Sequence, residues 1–526
     1  AAFTVDKLPA PLAGMDRDKI FSIKGIGESS GKKILEALDT GQIKALDDLI
    51  ARTPPGVLEM LQIKGLGPKK IRTIWKEMEI ESIGELLYAC QENRLLLFKG
   101  FGEKTQANVA ESIEFYLRSQ GQHLYAEIEP YALALQENLR SAFPGSRMEL
   151  TGDFRRQMLT LEKLEWVTTV GPEPLDVHLR TLEFRLIDQD GGSVTYAGTE
   201  NLSLQFIFCT EPIFTRTLFT TSGSKEFMGA VQELPEWRSQ DAVDEDALFS
   251  SLGLHFIPTP LRERADVVAQ AMRSPIPGLI QPGDVRGIIH SHSQWSDGML
   301  SIADMSKACI AGGYEYLVIS DHSRSAFYAN GLSVERIREQ HHHIDELNAE
   351  LAPFRIFKSI ECDILNDGSL DYPDEVLATF DLVISSVHSN LKMTEEKAMQ
   401  RLMGAIHNPY TTILGHMTGR LLLSRGGYPV DHHAIIDACA EQGVCIEINA
   451  HPRRLDMDWS WIPYAMEKGV MFSIDPDAHA AEGYEDVRFG VLAAQKGGLT
   501  KAFNLSSLDL KGFQAFIRER RKNKGI

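Results

Sequence analysis

Arg286-Gly287-Ile288-Ile289-His290-Ser291-His292 is an apolar run that ends in two imidazoles, and Asp297 follows five residues after His292. Further strand-like runs come after it at Tyr316 to Ser320, Arg355 to Ile360, Asp381 to Val387, Thr411 to Gly415, Val444 to Ile448 and Val470 to Ile474, with amphipathic helices between them. Strand and helix alternating at about 30 residues per unit is the pattern of parallel βαβ construction. Seven such units in ~240 residues predict a closed (βα)7 barrel rather than an open sheet.

The strand ends carry groups that bind metals. After His290, His292 and Asp297 come Asp321-His322, Glu361, His388, His416 and Asp477-Ala478-His479. In a parallel barrel the C-terminal strand ends share one face, so residues spread over about 190 positions converge on one pocket. One histidine at a strand end is most simply a hydrogen-bonded scaffold group. Nine imidazoles and carboxylates at the same end (His290, His292, Asp297, His322, Glu361, His388, His416, Asp477, His479) read as a metal centre. The mixed nitrogen and oxygen set suits Mn²⁺ or Zn²⁺ and argues against Mg²⁺ or Ca²⁺, which prefer all-oxygen shells. By contrast His341-His342-His343 lie on an amphipathic helix whose apolar residues are Ile337, Ile344, Leu347 and Leu351, and are expected to be solvated. His432, His433, His407 and His123 are expected at the surface.

The remaining chain is read against composition. At 526 residues, 43% hydrophobic and 24% charged, it has length for roughly three or four globular domains, which excludes disordered and collagen-like classes. No window holds 18 consecutive apolar residues, and Ala1-Ala2-Phe3-Thr4 opens no basic region followed by an apolar run. The expectation is a cytoplasmic protein without membrane span or signal peptide. Six cysteines without a C-x-x-C pair argue against a disulfide framework and a cysteine zinc site, and are expected to be reduced core thiols. Net charge is −19, yet residues 1–120 hold 17 Lys+Arg against 17 Asp+Glu. Bulk electrostatics therefore cannot hold nucleic acid, and any binding must use local devices.

Such a device recurs near the N-terminus as Lys24-Gly25-Ile26-Gly27, Lys64-Gly65-Leu66-Gly67 and Lys99-Gly100-Phe101-Gly102, each followed by a helix-like segment. Gly-x-Gly between short helices allows φ > 0, so successive amides and a helix N-terminus can face one anion, such as a DNA phosphate. Three occurrences spaced by 40 and 35 residues suggest a repeated unit. The pattern resembles the helix-hairpin-helix modules of bacterial family X DNA polymerases, closest in Leu61-Gln62-Ile63-Lys64-Gly65-Leu66-Gly67-Pro68-Lys69-Lys70. The resemblance implies sequence-independent DNA contacts by Gly25, Gly27, Gly65, Gly67, Lys69, Lys70, Gly100 and Gly102.

Between about 147 and 222 the text turns β-rich, and the resemblance continues into a small α+β nucleotidyltransferase-like palm. Gly152-Asp153-Phe154-Arg155-Arg156 stands where the family has Gly-Ser-x-Arg-Arg, and Ser222-Gly223-Ser224-Lys225 resembles its Thr-Gly-Ser-Lys. The family spacing then puts Lys163, Glu165 and Gln205 at the three positions whose aspartates hold two Mg²⁺. Side chains i and i+2 share a face of a strand, so Lys163 would place an ammonium where a cation must bind. A degenerate palm is the expectation, followed by a shortened thumb-like segment ending in Leu252-Gly253-Leu254-His255-Phe256-Ile257-Pro258 and a linker marked by Pro275, Pro277 and Pro282.

The barrel, in turn, resembles the polymerase-and-histidinol-phosphatase (PHP) domain over about 240 residues, with the nine ligand positions filled, and bacterial family X polymerases carry this domain at the C-terminus. The resemblance implies three divalent ions: one on His290, His292, Glu361 and Asp477, a second on Asp297, His322 and His479, a third on Glu361, His388 and His416. It also implies phosphodiester hydrolysis, with Glu361, His290, Asp297, Asp477 and Arg324 in catalytic roles and Arg324, Arg420 and Arg453 as candidates to grip phosphate. The expected protein is a monomeric multidomain α/β DNA-repair enzyme, a 3′→5′ exonuclease acting on gapped or 3′-ended DNA, away from membranes. Its expected parts are hairpins and fingers-like region (1–120), palm (121–225), thumb and linker (226–280) and PHP barrel (281–526). The alternatives are a working family X polymerase with a rebuilt metal site, and a non-catalytic DNA-end-binding protein.

Overall fold

Short helices separated by glycine turns make up the N-terminal part of the structure, a computed structural model that describes residues 12, 15–23, 26–63, 65–118, 121–198, 202–239 and 242–526. The chain divides into two units, 1–83 and 84–526. In the first, helices Arg17–Phe21, Glu28–Thr40, Lys44–Arg52, Pro55–Glu59 and Pro68–Lys76 follow one another and bury Ile20, Val57, Met60, Ile63, Leu66, Ile71 and Ile74. Gly27 and Gly67 cap the helices Glu28–Thr40 and Pro68–Lys76 in extended conformation, and Gly65 turns at φ +91°. A side chain at Gly65 would be strained by backbone geometry alone.

The second unit begins within the helix Ile83–Gln91 and contains the third hairpin, where Gly100 turns at φ +100° ahead of the helix Glu103–Arg118. The palm-like part follows with β1 (His123–Leu124), β2 (Met148–Thr151), β3 (Thr160–Leu161), β4 (Lys163–Thr168), β5 (Arg185–Gln189), β6 (Ser193–Ala197) and β7 (Ser203–Phe208). β1 and β3 form a two-stranded pair, and the others a sheet in the order β2-β4-β7-β6-β5 with β4 and β7 parallel. Alternation of burial along β4 and β7 turns Leu164, Trp166, Leu204 and Phe206 inward. Trp166 stacks on Phe206 at 4.9 Å and donates Nε1–H to Gln136 Oε1 at 2.7 Å, so its one polar atom is satisfied. Burying a side chain such as Phe206 contributes roughly 1.5–3 kcal/mol.

Short helices, among them Phe214–Thr221, Lys225–Gln232, Glu245–Ser251 and Asp266–Ala271, pack around Phe219, Phe227 and Phe249. Arg262 is buried among these rings, 5.2 Å from Phe219 and 5.0 Å from Phe249, with its charge met by Glu245 at 2.6 Å. No regular helix of more than three residues lies between 272 and 301, where Pro275, Pro277 and Pro282 remove backbone donors.

The barrel strands are β8 (Gly287–Ser291), β9 (Tyr316–Ile319), β10 (Arg355–Asp363), β11 (Leu382–Ser386), β12 (Thr411–Leu414), β13 (Cys445–Asn449) and β14 (Phe472–Asp475). They are parallel and adjacent in chain order. The ring closes where Ser291 bridges Ala478 and the His292 amide donates to the Ala478 carbonyl at 2.8 Å. Helix starts are written into the sequence: Ser301, Ser333, Thr394, Asp431 and Asp509 each accept a backbone N–H at a helix N-terminus. The C-terminal helix Leu510–Lys524 covers the opposite end, with Phe513 stacked on Tyr316 at 4.4 Å. Among the described residues no helix is long and apolar enough to cross a membrane.

Some expected environments differ. β10 runs to Asp363 instead of ending before Glu361. His123 is buried, because the short strand that carries it is paired with β3. His341 is half-buried against Phe380 at 4.9 Å, and burial lowers its pKa to about 4. His432 stacks on Trp461 at 4.5 Å. His342, at 78% side-chain exposure, is solvated as expected, and His407 is exposed. The six cysteines are free and all but Cys209 are buried.

Candidate metal centre

Parallel strands bring their C-terminal ends together, and the nine side chains singled out by strand position do gather at one end of this barrel. Eight are buried and His388 is nearly so. Four sets of ligand atoms lie within 4.8 Å of one another: His292, Asp297, His322 and His479; His290, His292 and Asp477; His322, Glu361 and His388; and His290, Glu447 and Asp475. His416 Nε2 is 2.9 Å from Glu361 Oε1, and His388 Nε2 is 3.0 Å from the same oxygen. His322 Nδ1 lies 3.0 Å from Glu361 Oε2, so Glu361 has imidazoles at both oxygens. Rings stack as well, His292 on His322 and on His479 at 4.3 Å each.

Backbone strain is concentrated here. His290, His416 and Asp477 have φ of +58°, +21° and +54°, conformations that cost a non-glycine residue of order 1–3 kcal/mol and persist where surrounding structure enforces them.

Several ligand-type atoms of these side chains lack ordinary partners. His290 Nε2, His292 Nδ1, both nitrogens of His322, Asp297 Oδ2, Glu361 Oε2, His416 Nδ1 and His479 Nε2 are buried without a hydrogen bond. Buried polar atoms are rarely left this way, and so many together are accounted for by cations. Protonation follows the same logic. Burial alone would lower the His388 and His479 pKa values, yet Glu361 raises the first to about 9 and Asp297 the second to about 9. Burial would raise Glu361, but His388, His290 and His322 hold it well below the usual carboxylate range. Groups that stabilise one another's charges in this way can exchange protons for divalent metals, for which this donor set is suited.

Other side chains hold these residues in place; the strand-end reading named Asp321 beside His322 but missed Glu447, Asp363 and Asn449. His290 Nδ1 is hydrogen-bonded to Glu447 Oε1, and Glu447 Oε2 accepts the His416 amide at 2.6 Å, so one carboxylate orients two ligand residues. Asp363 Oδ1 is 2.5 Å from His388 Nδ1, and Asn449 donates to Asp477 Oδ2 at 3.1 Å. Asp321 accepts from Ser293, Ser296 and Gln340 and fixes the loop before Asp297. The available signal was an acid inside an apolar strand, as in Cys445-Ile446-Glu447-Ile448.

The three candidate arginines are bound to neighbours. Arg324 donates to Asp371 at 3.2 Å, Arg420 to Asp458 at 2.6 Å and Arg453 to Glu127 at 2.7 Å. Arg454 comes nearer the ligands, 3.9 Å from Asp477 Oδ2, and donates to the Tyr88 hydroxyl at 2.8 Å.

Elsewhere, Gly65, Gly67, Gly100 and Gly102 stand at hairpin turns with open space on the side a Cβ would occupy, as does Gly27. Gly25 lies outside the described residues. Lys69 is exposed and Lys70 half-buried in the first turn of the helix after Gly67, and Lys70 Nζ donates to the Gly65 carbonyl at 3.3 Å. In the palm, Glu165 pairs with Gln205 across β4 and β7. Lys163 Nζ lies 2.8 Å from Glu165 Oε1 and donates to Gln205 Oε1 at 2.7 Å. Arg155 is engaged by Glu245 at 2.7 Å, and Arg156 by Asp153 and by Glu263 at 3.0 Å.

Comparison with known proteins agrees with this arrangement. Residues 57–114 match the family of SAM-like helix-hairpin-helix tandems. A Bacillus subtilis (strain 168) protein, "DNA polymerase/3′-5′ exonuclease PolX", is 32% identical over 525 residues, covering 96% of this chain and 92% of that one. A probable phosphatase of Thermoanaerobacter sp. (strain X514) is 24% identical over 249 residues, 43% of this chain and 98% of its own length. A probable phosphatase of Caldanaerobacter subterraneus subsp. tengcongensis is 29% identical over 28% of this chain and 62% of its own. Identity of this extent along nearly all of both chains, with hairpins, a palm-like sheet and a histidine-rich barrel in that order, means that the chain belongs to the PolX family of bacterial family X DNA polymerases with a C-terminal PHP domain.

Proposed function

We propose that this protein is a metal-dependent exodeoxyribonuclease of DNA repair that removes nucleotides from 3′ ends, and that its palm does not polymerise. The observation that carries the reading is the convergence of nine imidazole and carboxylate side chains with buried, unbonded ligand atoms. His290, His292, Glu361 and Asp477 would hold one ion, Asp297, His322 and His479 a second, and Glu361, His388 and His416 a third, with Mn²⁺ or Zn²⁺ favoured by the donors. Such ions, when bound, supply Lewis acidity and a water of lowered pKa. The chain's part is to orient the donors through Glu447, Asp363 and Asn449 and to keep the pocket enclosed. Residues 281–526 are the hydrolytic part in this reading, 226–280 thumb and linker, 121–225 palm, and 1–120 the grip on gapped or 3′-ended DNA by a monomer.

The palm is read as a scaffold for a simple reason. The groups of three or more metal-ligating side chains found among the described residues all lie in the barrel, while the ammonium of Lys163 stands between Glu165 and Gln205. Arg155 and Arg156, which end the motif resembling the family's Gly-Ser-x-Arg-Arg, face carboxylates of this chain.

The test is degradation of a 3′-ended, 5′-labelled strand by the full chain with Mn²⁺ or Zn²⁺, alongside Glu361→Ala. A fall of at least ~100-fold with loss of bound metal is expected, because one carboxylate meets imidazoles at both its oxygens. Full hydrolysis by Glu361→Ala would remove the activity from this centre, and a single tightly held ion with no activity in the unaltered protein would favour the end-binding alternative.

A further inference from the structure

A segment from outside the barrel reaches the metal centre. The helix Ile83–Gln91 and the turn Arg94–Leu97 precede the third hairpin, and the Tyr88 hydroxyl lies 3.4 Å from Asp477 Oδ2. Arg94 follows on the same segment. Its Nε is 2.7 Å from Glu92 Oε2, with side-chain exposures of 21% and 6%, yet neither atom makes a hydrogen bond of good geometry. The Arg94 guanidinium lies 4.7 Å over the Tyr328 ring, whose own hydroxyl is buried without a hydrogen bond. These groups are within electrostatic reach of the ligands: Arg94 of Asp297, Glu92 of His479 and Asp477, and Tyr328 of Glu361.

An arginine is out of place beside a site that collects divalent cations, since like charges in an enclosed pocket repel at a cost that falls only slowly with distance. It belongs there if an anion is shared between it and the metals. Glu92 supplies one negative charge, but through a contact that leaves the donor geometry unsatisfied. A phosphate offers what Glu92 does not, oxygens for both the metal side and a planar guanidinium fork.

We propose that Arg94 is a substrate ligand of the phosphoesterase site, delivered by the segment ahead of the third hairpin, and that Glu92 occupies its guanidinium until a substrate phosphate displaces it. The inference rests on the phosphoesterase reading above. It makes residues 88–94 part of the hydrolytic site, so substrate recognition is shared between the barrel and the region that carries the hairpins.

The experiment uses full-length Arg94→Ala, Arg94→Lys and Glu92→Gln proteins loaded with Mn²⁺. Binding of inorganic phosphate is measured by calorimetry, metal content by mass spectrometry, and KM and kcat on a 3′-ended oligonucleotide. Arg94→Ala should weaken phosphate binding and raise KM about tenfold or more with metal content unchanged, and Arg94→Lys should recover part of the loss. Glu92→Gln, which frees the guanidinium, should tighten phosphate severalfold. Unchanged phosphate affinity in Arg94→Ala overturns the proposal, as does metal loss in both Arg94→Ala and Glu92→Gln, which would make the pair part of the metal scaffold. If Arg94→Ala does not fold, Glu92→Gln decides alone: unchanged or weaker phosphate binding overturns it. Should the unaltered protein fail to cut DNA while phosphate binding still depends on Arg94, the nuclease reading falls and the Arg94 assignment stands.

Discussion

At the scale of single residues, charge pairing decides more than position in the sequence. Glu245 is the clearest case outside the metal centre. Burial pushes its carboxyl pKa up, but the hydrogen bond from Arg155 and the charge of Arg262 outweigh this and hold it at about 2. A depressed carboxylate contributes stability that is fully present above its unfolded value near 4.3 and is lost as pH falls toward 2. Glu245→Gln would leave Arg262 buried without its partner, a change that costs about 3–5 kcal/mol for a buried pair. Thermal unfolding should therefore show a lowered melting temperature for Glu245→Gln at pH 7, with the gap to the unaltered protein narrowing as pH falls from about 4 toward 2. A gap as wide at pH 2.5 as at pH 7 would mean that the pairing is not its source. Histidines divide along the same lines. His342, solvated and paired at most with Glu346, should be replaceable by alanine with hydrolysis and metal content within twofold of normal, whereas His479→Ala should lose both.

At the scale of elements, the hairpins and the palm strands make different demands. Gly65 needs φ of +91° and Gly67 caps the helix Pro68–Lys76. Replacing both with valine should weaken binding to duplex and gapped DNA by a similar factor for every sequence tested, about tenfold, because the contacts expected there are to phosphate. Fluorescence anisotropy on several unrelated sequences checks this, with circular dichroism to confirm that the helices persist. A loss confined to one sequence would contradict it. In the palm, the adjacency of Glu165 and Gln205 across β4 and β7 is what the family spacing implied, and the ammonium of Lys163 completes a neutralised trio. Sequence spacing alone could place these residues on one face. It could not tell that Lys163 would be satisfied by them.

At the scale of the whole molecule, the chain keeps the order of a family X polymerase, and the proposal that its palm does not polymerise has a direct test. Primer extension on gapped DNA with Mg²⁺ or Mn²⁺ should show no templated incorporation, measured beside hydrolysis by the same preparation. Robust extension abolished by Glu165→Ala would reverse the assignment of roles between palm and barrel.

What the sequence determined by itself is everything that depends on local spacing. Seven apolar runs alternating with helices implied the barrel, because parallel strands require crossovers of that length and leave their C-terminal ends on one face. The gathering of the nine candidate side chains at one end followed from the same rule, and the N-caps and hairpin glycines from backbone chemistry at single positions. Only the tertiary structure decided which neighbours each side chain meets. Glu447 sits mid-strand and Asp363 ends β10, and they became orienting groups because the closed ring brings His290 and His416 to Glu447 and the neighbouring β11 brings His388 to Asp363. Arg324, Arg420 and Arg453 stand at suitable loop positions yet find carboxylates of this chain first. Tyr88, Glu92 and Arg94 lie some 200 residues before His290 in the sequence, and nothing in their local pattern distinguishes them from a helix end. Their place beside Asp477 is set by packing between parts of the chain that are distant in sequence, the one kind of information that periodicity and spacing do not carry.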